Sequence, residues 1–78
     1  MQAIGEIIKH ELERQERSVS WFAQKLSCNR ANVYNIFLRS SIDTALLVRI
    51  SKILNRNFFK ELNEEVERDV LQSINPQP

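Results

Sequence analysis

Ser18-Val19-Ser20-Trp21-Phe22-Ala23-Gln24-Lys25-Leu26-Ser27-Cys28-Asn29-Arg30-Ala31-Asn32-Val33-Tyr34-Asn35-Ile36-Phe37-Leu38 holds two short helical signals and a break between them. Phe22, Ala23 and Leu26 fall on one face of a two-turn helix, and the spacing predicts it over residues 19–26. Ser18 stands where a hydroxyl accepts a free backbone N–H of the first turn. Ser27-Cys28-Asn29 interrupts the pattern. Val33, Ile36 and Phe37 then sit at i, i+3 and i+4, which predicts a second helix over 30–38 with Asn29 as its N-cap. Ala23 is small where two steeply crossing helices must approach closely, and Cys28 is small and apolar enough to plug the corner. This spacing is that of a helix-turn-helix.

Outward from this unit the pattern stays helical. Upstream, Ile4, Ile7, Ile8 and Leu12 mark one face of a helix from Ile4 to about Gln15, with the charged residues expected on the other face. Gly5 is a poor helix former but lies near the start, where the cost is smaller. Downstream, Asp43 caps a helix over 44–54 whose wide apolar face is Leu46, Leu47, Ile50, Ile53 and Leu54. Asn55 suits a left-handed residue at its end. A fifth segment opens with Phe58, Phe59 and Leu62 and continues at helical spacing through Val66, Val70, Leu71 and Ile74. One helix line cannot bury both adjacent phenylalanines, so one belongs to the core and the other is available to a partner. Asn75-Pro76-Gln77-Pro78 is expected to fray. The expected fold is an all-α, compact bundle of about five short helices containing a helix-turn-helix. Residues 1–64 form the helix-turn-helix domain, and 65–78 form a helical extension with a frayed tail.

Composition narrows the function. Seventy-eight residues suit one domain. One cysteine and one histidine (His10, expected on the surface) exclude an internal disulfide and a closed four-ligand zinc site. The first residues show neither a basic start nor a long apolar run. No stretch approaches the roughly 18 apolar residues that span a bilayer, so a cytoplasmic location is expected. The net charge of +1 hides an uneven distribution. Residues 1–16 hold two basic and four acidic side chains, residues 17–60 eight basic and one acidic, and residues 61–78 one basic and five acidic. A basic middle between acidic ends suits a partner that presents phosphates. Nothing resembles a nucleophile with its base, a glycine-rich phosphate loop or a metal set, so neither enzyme activity nor a cofactor is expected. The carboxylates of the first and last helices fall at solvent-facing spacing, as on a wet helix face.

The chain resembles the phage-repressor-like helix-turn-helix (XRE) family over about residues 4–62. Phe22-Ala23-x-x-Leu26 is similar to that family's Leu-Ala-x-x-Leu. Asn29-Arg30-x-x-Val33-Tyr34-x-Ile36 is similar to its Ser-Arg-x-x-Ile-Ser-x-Ile/Leu. Leu46-x-x-x-Ile50-x-x-x-Leu54 follows its fourth helix. The departures are Ser27 where the family turn carries Gly, Val19 where a Gln often bonds phosphate, and Ala31 where a polar residue is common. At Ser27 either the turn differs or the backbone accepts strain.

The resemblance implies sequence-specific binding of double-stranded DNA by a small transcriptional regulator, with residues 29–38 in the major groove. Arg30 would meet guanine O6/N7, Asn32 and Asn35 adenine N6/N7, and Ala31 a thymine methyl. Ser18, Ser20, Gln24, Lys25, Asn29, Tyr34, Arg39 and Ser40 are candidates for the DNA backbone, which positions without reading sequence. Tyr34 either rests on that backbone or covers its own helix, and Trp21 either packs or touches phosphate. The resemblance also implies a homodimer on half-sites about 34 Å apart, with Val66, Val70 and Ile74 as added dimer contacts. The alternative is a protein-interaction or antitoxin-like module on the same fold, with little or no DNA binding. No membrane or small-molecule substrate is indicated.

Overall fold

A computed structural model of the chain describes residues 2–74; the expected fraying of 75–78 and the side chain of Ile74 lie outside the described residues. Five helices follow in order: α1 (Ile4–Arg14), α2 (Val19–Leu26), α3 (Arg30–Phe37), α4 (Thr44–Leu54) and α5 (Phe59–Ile74). No strand occurs among the described residues. The all-α bundle is therefore the fold.

Local chemistry sets the helix starts. Ser18 Oγ accepts from the Trp21 N–H at 3.0 Å, Asn29 Oδ1 from the Asn32 N–H at 2.9 Å, and Asp43 Oδ1 from the Leu46 N–H at 2.8 Å. Each cap satisfies one of the donors a first turn leaves unpaired. Three helices end on a left-handed residue that is not glycine: Glu16 (φ 57°), Ser27 (φ 57°) and Asn55 (φ 54°). In each case the next N–H reaches back to close the turn, Arg17 to Leu12 O, Cys28 to Ala23 O and Arg56 to Ser51 O. Ser27 thus keeps a left-handed turn and accepts the strain that glycine would avoid.

The core gathers Ile4, Ile7, Ile8 and Leu12 from α1, Phe22, Ala23 and Leu26 from α2, and Val33, Ile36 and Phe37 from α3. Leu47, Ile50 and Leu54 join from α4, and Phe58 from the turn before α5. Each Val, Leu, Ile or Phe among them contributes about 1.5–3 kcal/mol over leaving it in water. Leu46, Ile53, Cys28 and Phe59 are half-buried at its edge. Of the two adjacent phenylalanines, Phe58 is the core residue.

Two features of α1 differ from expectation. Gly5 is buried, and its N–H donates to the Arg39 carbonyl at 3.0 Å. A Cβ at this position would lie 2.3 Å from the carbonyl oxygen of Ile36 and 2.6 Å from that of Phe37. The glycine is there because the first turn of α1 presses against the backbone at the end of α3. Glu11 corrects the expectation that the α1 carboxylates all face solvent: it is only 3% exposed. Its carboxylate accepts from Arg14 (2.6 Å), Gln15 (2.7 Å) and Arg56 (2.7 Å). Arg56 also pairs with Glu61, and Gln15 donates to the Leu54 carbonyl at 2.7 Å. This network joins α1 to the end of α4 and the start of α5. The Arg14 hydrogen bond, with those of Gln15 and Arg56, holds the Glu11 carboxyl at about 2 against an ordinary 4.5, although burial pushes it the other way.

Beyond Glu65 the fifth helix leaves the body. Residues 66–72 are all exposed, and the molecule measures 53 × 19 × 19 Å.

Candidate nucleic-acid interface

The surface built around α3 follows from how that helix is seated. Val33, Ile36 and Phe37 lock one face into the core. At 100° per residue, Ala31, Asn35 and Leu38 then point farthest outward. Tyr34 lies on the α1 side, in a groove shared with Lys9 and Leu12. Asn32 lies on the α4 side, where it shares a hollow of about 280 Å³ with Asn35, Arg39, Cys28 and Leu46. Arg30 opens the helix and is exposed. The four residues expected to face bases, Arg30, Ala31, Asn32 and Asn35, all stand in solvent on this one short helix.

The residues expected to face the DNA backbone are also all exposed: Ser18 at the cap of α2, Ser20, Gln24 and Lys25 along it, Asn29 in the turn, Tyr34 on α3, and Arg39 and Ser40 after it. Ser18 and Asn29 already use an oxygen as a helix cap, so a phosphate would meet the Ser18 hydroxyl hydrogen and the Asn29 amide nitrogen. Val19 is half-buried against the core, so the first turn of α2 presents Ser20 in its stead.

Trp21 is half-buried and sandwiched by charge. The Arg17 guanidinium carbon stands 4.5 Å from the ring centroid and the Lys25 ammonium 5.9 Å. Such contacts hold both cations beside the α2 surface. Two members of the basic middle are engaged within the fold instead. Arg56 belongs to the Glu11–Glu61 network, and Arg49 donates to the Leu26 carbonyl at 3.3 Å, closing the end of α2. Arg30 and Arg39 stand exposed on and just after α3, Lys9 and Arg17 edge its α1 side, and Lys25 stands on α2 beside Trp21.

A second surface was not read from the sequence. Between α1 and α3 runs a groove of about 470 Å³ floored by Leu12, Val19 and Phe37, with Tyr34 and Leu38 on one wall. Leu38 is 84% exposed and Tyr34 53%. The signal was the run Ile36-Phe37-Leu38: three consecutive apolar residues cannot all face one core from a helix. Among the described residues no group of three or more His, Cys, Asp or Glu is placed to hold a metal ion, and no helix is long and apolar enough to cross a membrane. Comparison with protein-family models, with curated proteins and with solved structures finds no match.

Proposed function

We propose that the chain is a small transcriptional regulator of the phage-repressor-like helix-turn-helix type, which binds double-stranded DNA in the cytoplasm with α3 in the major groove. The observation that carries this reading is the seating of α3. One face is locked into the core, while Arg30, Ala31, Asn32 and Asn35 stand in solvent and Arg39 shares a hollow with Asn32 and Asn35. A helix so held presents its donors without a further cost for ordering its backbone. Arg30 reads guanine, Asn32 and Asn35 read adenine, and Ala31 meets a thymine methyl; each good bidentate pair is worth roughly 1–3 kcal/mol of discrimination. Ser18, Ser20, Gln24, Lys25, Asn29, Tyr34, Arg39 and Ser40 set the register on phosphates.

The test is selection from a pool of random duplexes at two salt concentrations, read by sequencing. An enriched motif that Arg30→Ala relaxes supports the reading. Binding without enrichment, lost steeply with salt, reduces it to phosphate contact alone.

A second reading is favoured by one observation, the apolar groove beside α3 with Tyr34 and Leu38 exposed on its wall. Large exposed apolar side chains beside a concave surface are the mark of a protein-binding site. Absence of DNA binding at either salt selects this protein-interaction module.

A further inference from the structure

We infer that the α1–α3 groove receives the projecting arm of α5 from a second copy of the chain, and that the two copies exchange arms reciprocally. The inference does not rest on the DNA reading, and where both hold the arm, not a phosphate, meets Tyr34.

Two unpartnered apolar surfaces lie on the same molecule. One is the groove, with Leu12 and Phe37 at its floor and Tyr34 and Leu38 on its wall. The other is the arm, where Val66 and Val70 continue at four-residue spacing the line that Phe59 and Leu62 begin against the core. Val66 is 57% and Val70 46% exposed. An amphipathic helix laid by its apolar face into a hydrophobic groove is a recurring recognition mode.

Charge selects the occupant. The arm's exposed Glu64, Glu67 and Asp69 outnumber Arg68, whereas Lys9 and Arg17 edge the groove beside a single acid, Glu13. An arm in the groove therefore sets acids against a basic edge. Two arms laid against each other would bring like charges together, which is penalised. Isolated helices of this length are marginal in water unless a neighbour covers their apolar face, and from Val66 onward the chain's own body does not. Reciprocal exchange closes the assembly as a two-fold dimer and counts each contact twice toward the roughly 1,200 Å² that a stable pair buries. The seated arm covers Tyr34 and Leu38, while Asn32 lies on the other side of α3.

The arrangement makes a specific demand on complementation. Leu38→Glu spoils the groove and leaves the arm intact; Val70→Glu does the reverse. Both positions are exposed, so the body of the bundle folds in each variant, and helical circular dichroism falls by no more than the turns of the arm. Without DNA, light scattering gives a dimer for the unaltered chain, and its mass halves in either variant alone. Mixing the two variants restores a heterodimer, weaker than the original because one of its two contacts is intact. In the mixture, isotope-labelled Val70→Glu chains show amide shifts near Leu12, Tyr34 and Phe37. A monomeric unaltered chain overturns the inference. So does a Leu38→Glu chain that stays dimeric while Val70→Glu does not, which would mean that arm packs on arm. A mixture that remains monomeric overturns it as well.

Discussion

An alanine at position 5 would set its methyl 2.3 Å from the carbonyl oxygen of Ile36, a distance at which backbone has to move. The gain in helix propensity from Gly to Ala is about 1 kcal/mol at most. Overpacking against fixed backbone typically costs about 1–3 kcal/mol, so Gly5→Ala is expected to destabilise the fold on balance. A denaturant midpoint that stays put or rises would show that α1 and α3 part easily at this crossing. Ser27 runs the opposite way. It holds φ 57° with a Cβ, which costs roughly 1–2 kcal/mol in the left-handed region. Ser27→Gly relieves that strain but adds freedom to the unfolded chain, for a net gain of up to about 1 kcal/mol. A lower melting temperature in this variant would place the benefit of Ser27 in its side chain. The two positions also mark the limit of what the sequence discloses. The caps Ser18, Asn29 and Asp43 and the left-handed Asn55 were legible because each obeys a rule local to a few residues. The reason for Gly5 was not, because it lies far along the chain, in the backbone of Ile36 and Phe37.

Among the elements, the joint between α1, α4 and α5 is where acidity acts. Glu11 follows Ile4, Ile7 and Ile8 at helical spacing and precedes Leu12, so its place on the buried face was open to periodicity all along. Its partner Arg56, 45 residues away, was not. The folded carboxyl titrates at about 2, held there first by Arg14, while an ordinary glutamate titrates near 4.5. A depressed folded value contributes stability that is full above about 4.5 and is lost as pH falls toward 2. Each pH unit of that gap is worth about 1.4 kcal/mol. Urea unfolding midpoints followed from neutral pH into this acid window are therefore expected to fall on the acid side. In Glu11→Gln chains the stability is lower at neutral pH, and the acid slope is shallower. A Glu11→Gln variant with the same slope as the parent would assign the acid sensitivity to other carboxylates. The helix boundaries themselves were nearly all legible, since five amphipathic faces and three caps fix them locally. The apolar hold on the fifth helix was legible in Phe58, Phe59 and Leu62, but the Glu11–Arg56–Glu61 network was not, because it spans the fold.

The molecule as a whole separates its charges along its length. Residues 17–60 hold eight basic side chains against one acid, and residues 61–78 five acids against one basic. Folding then sorts the basic group. Arg56 is engaged by Glu11 and Glu61, Arg49 by the end of α2 and Lys25 by the Trp21 ring, whereas Arg30 and Arg39 stay exposed on and just after α3. The charges can be counted along the chain, but only the fold tells which cations remain for a phosphate. This distinction has a measurable form. Each phosphate neutralised by a side chain contributes about −0.9 to the slope of log affinity against log salt. Arg39→Ala is expected to make the slope shallower by about that amount on any duplex sequence, since a backbone contact carries no sequence information. Lys60→Ala, on α5 outside the proposed interface, is expected to leave the slope as it was. If the two variants shift the slope equally, the basic side chains act on DNA as a diffuse field, and α3 has no privileged place in it. If Arg39 alone moves it, phosphate is met on one face of the bundle, the one on which Arg30, Asn32 and Asn35 stand.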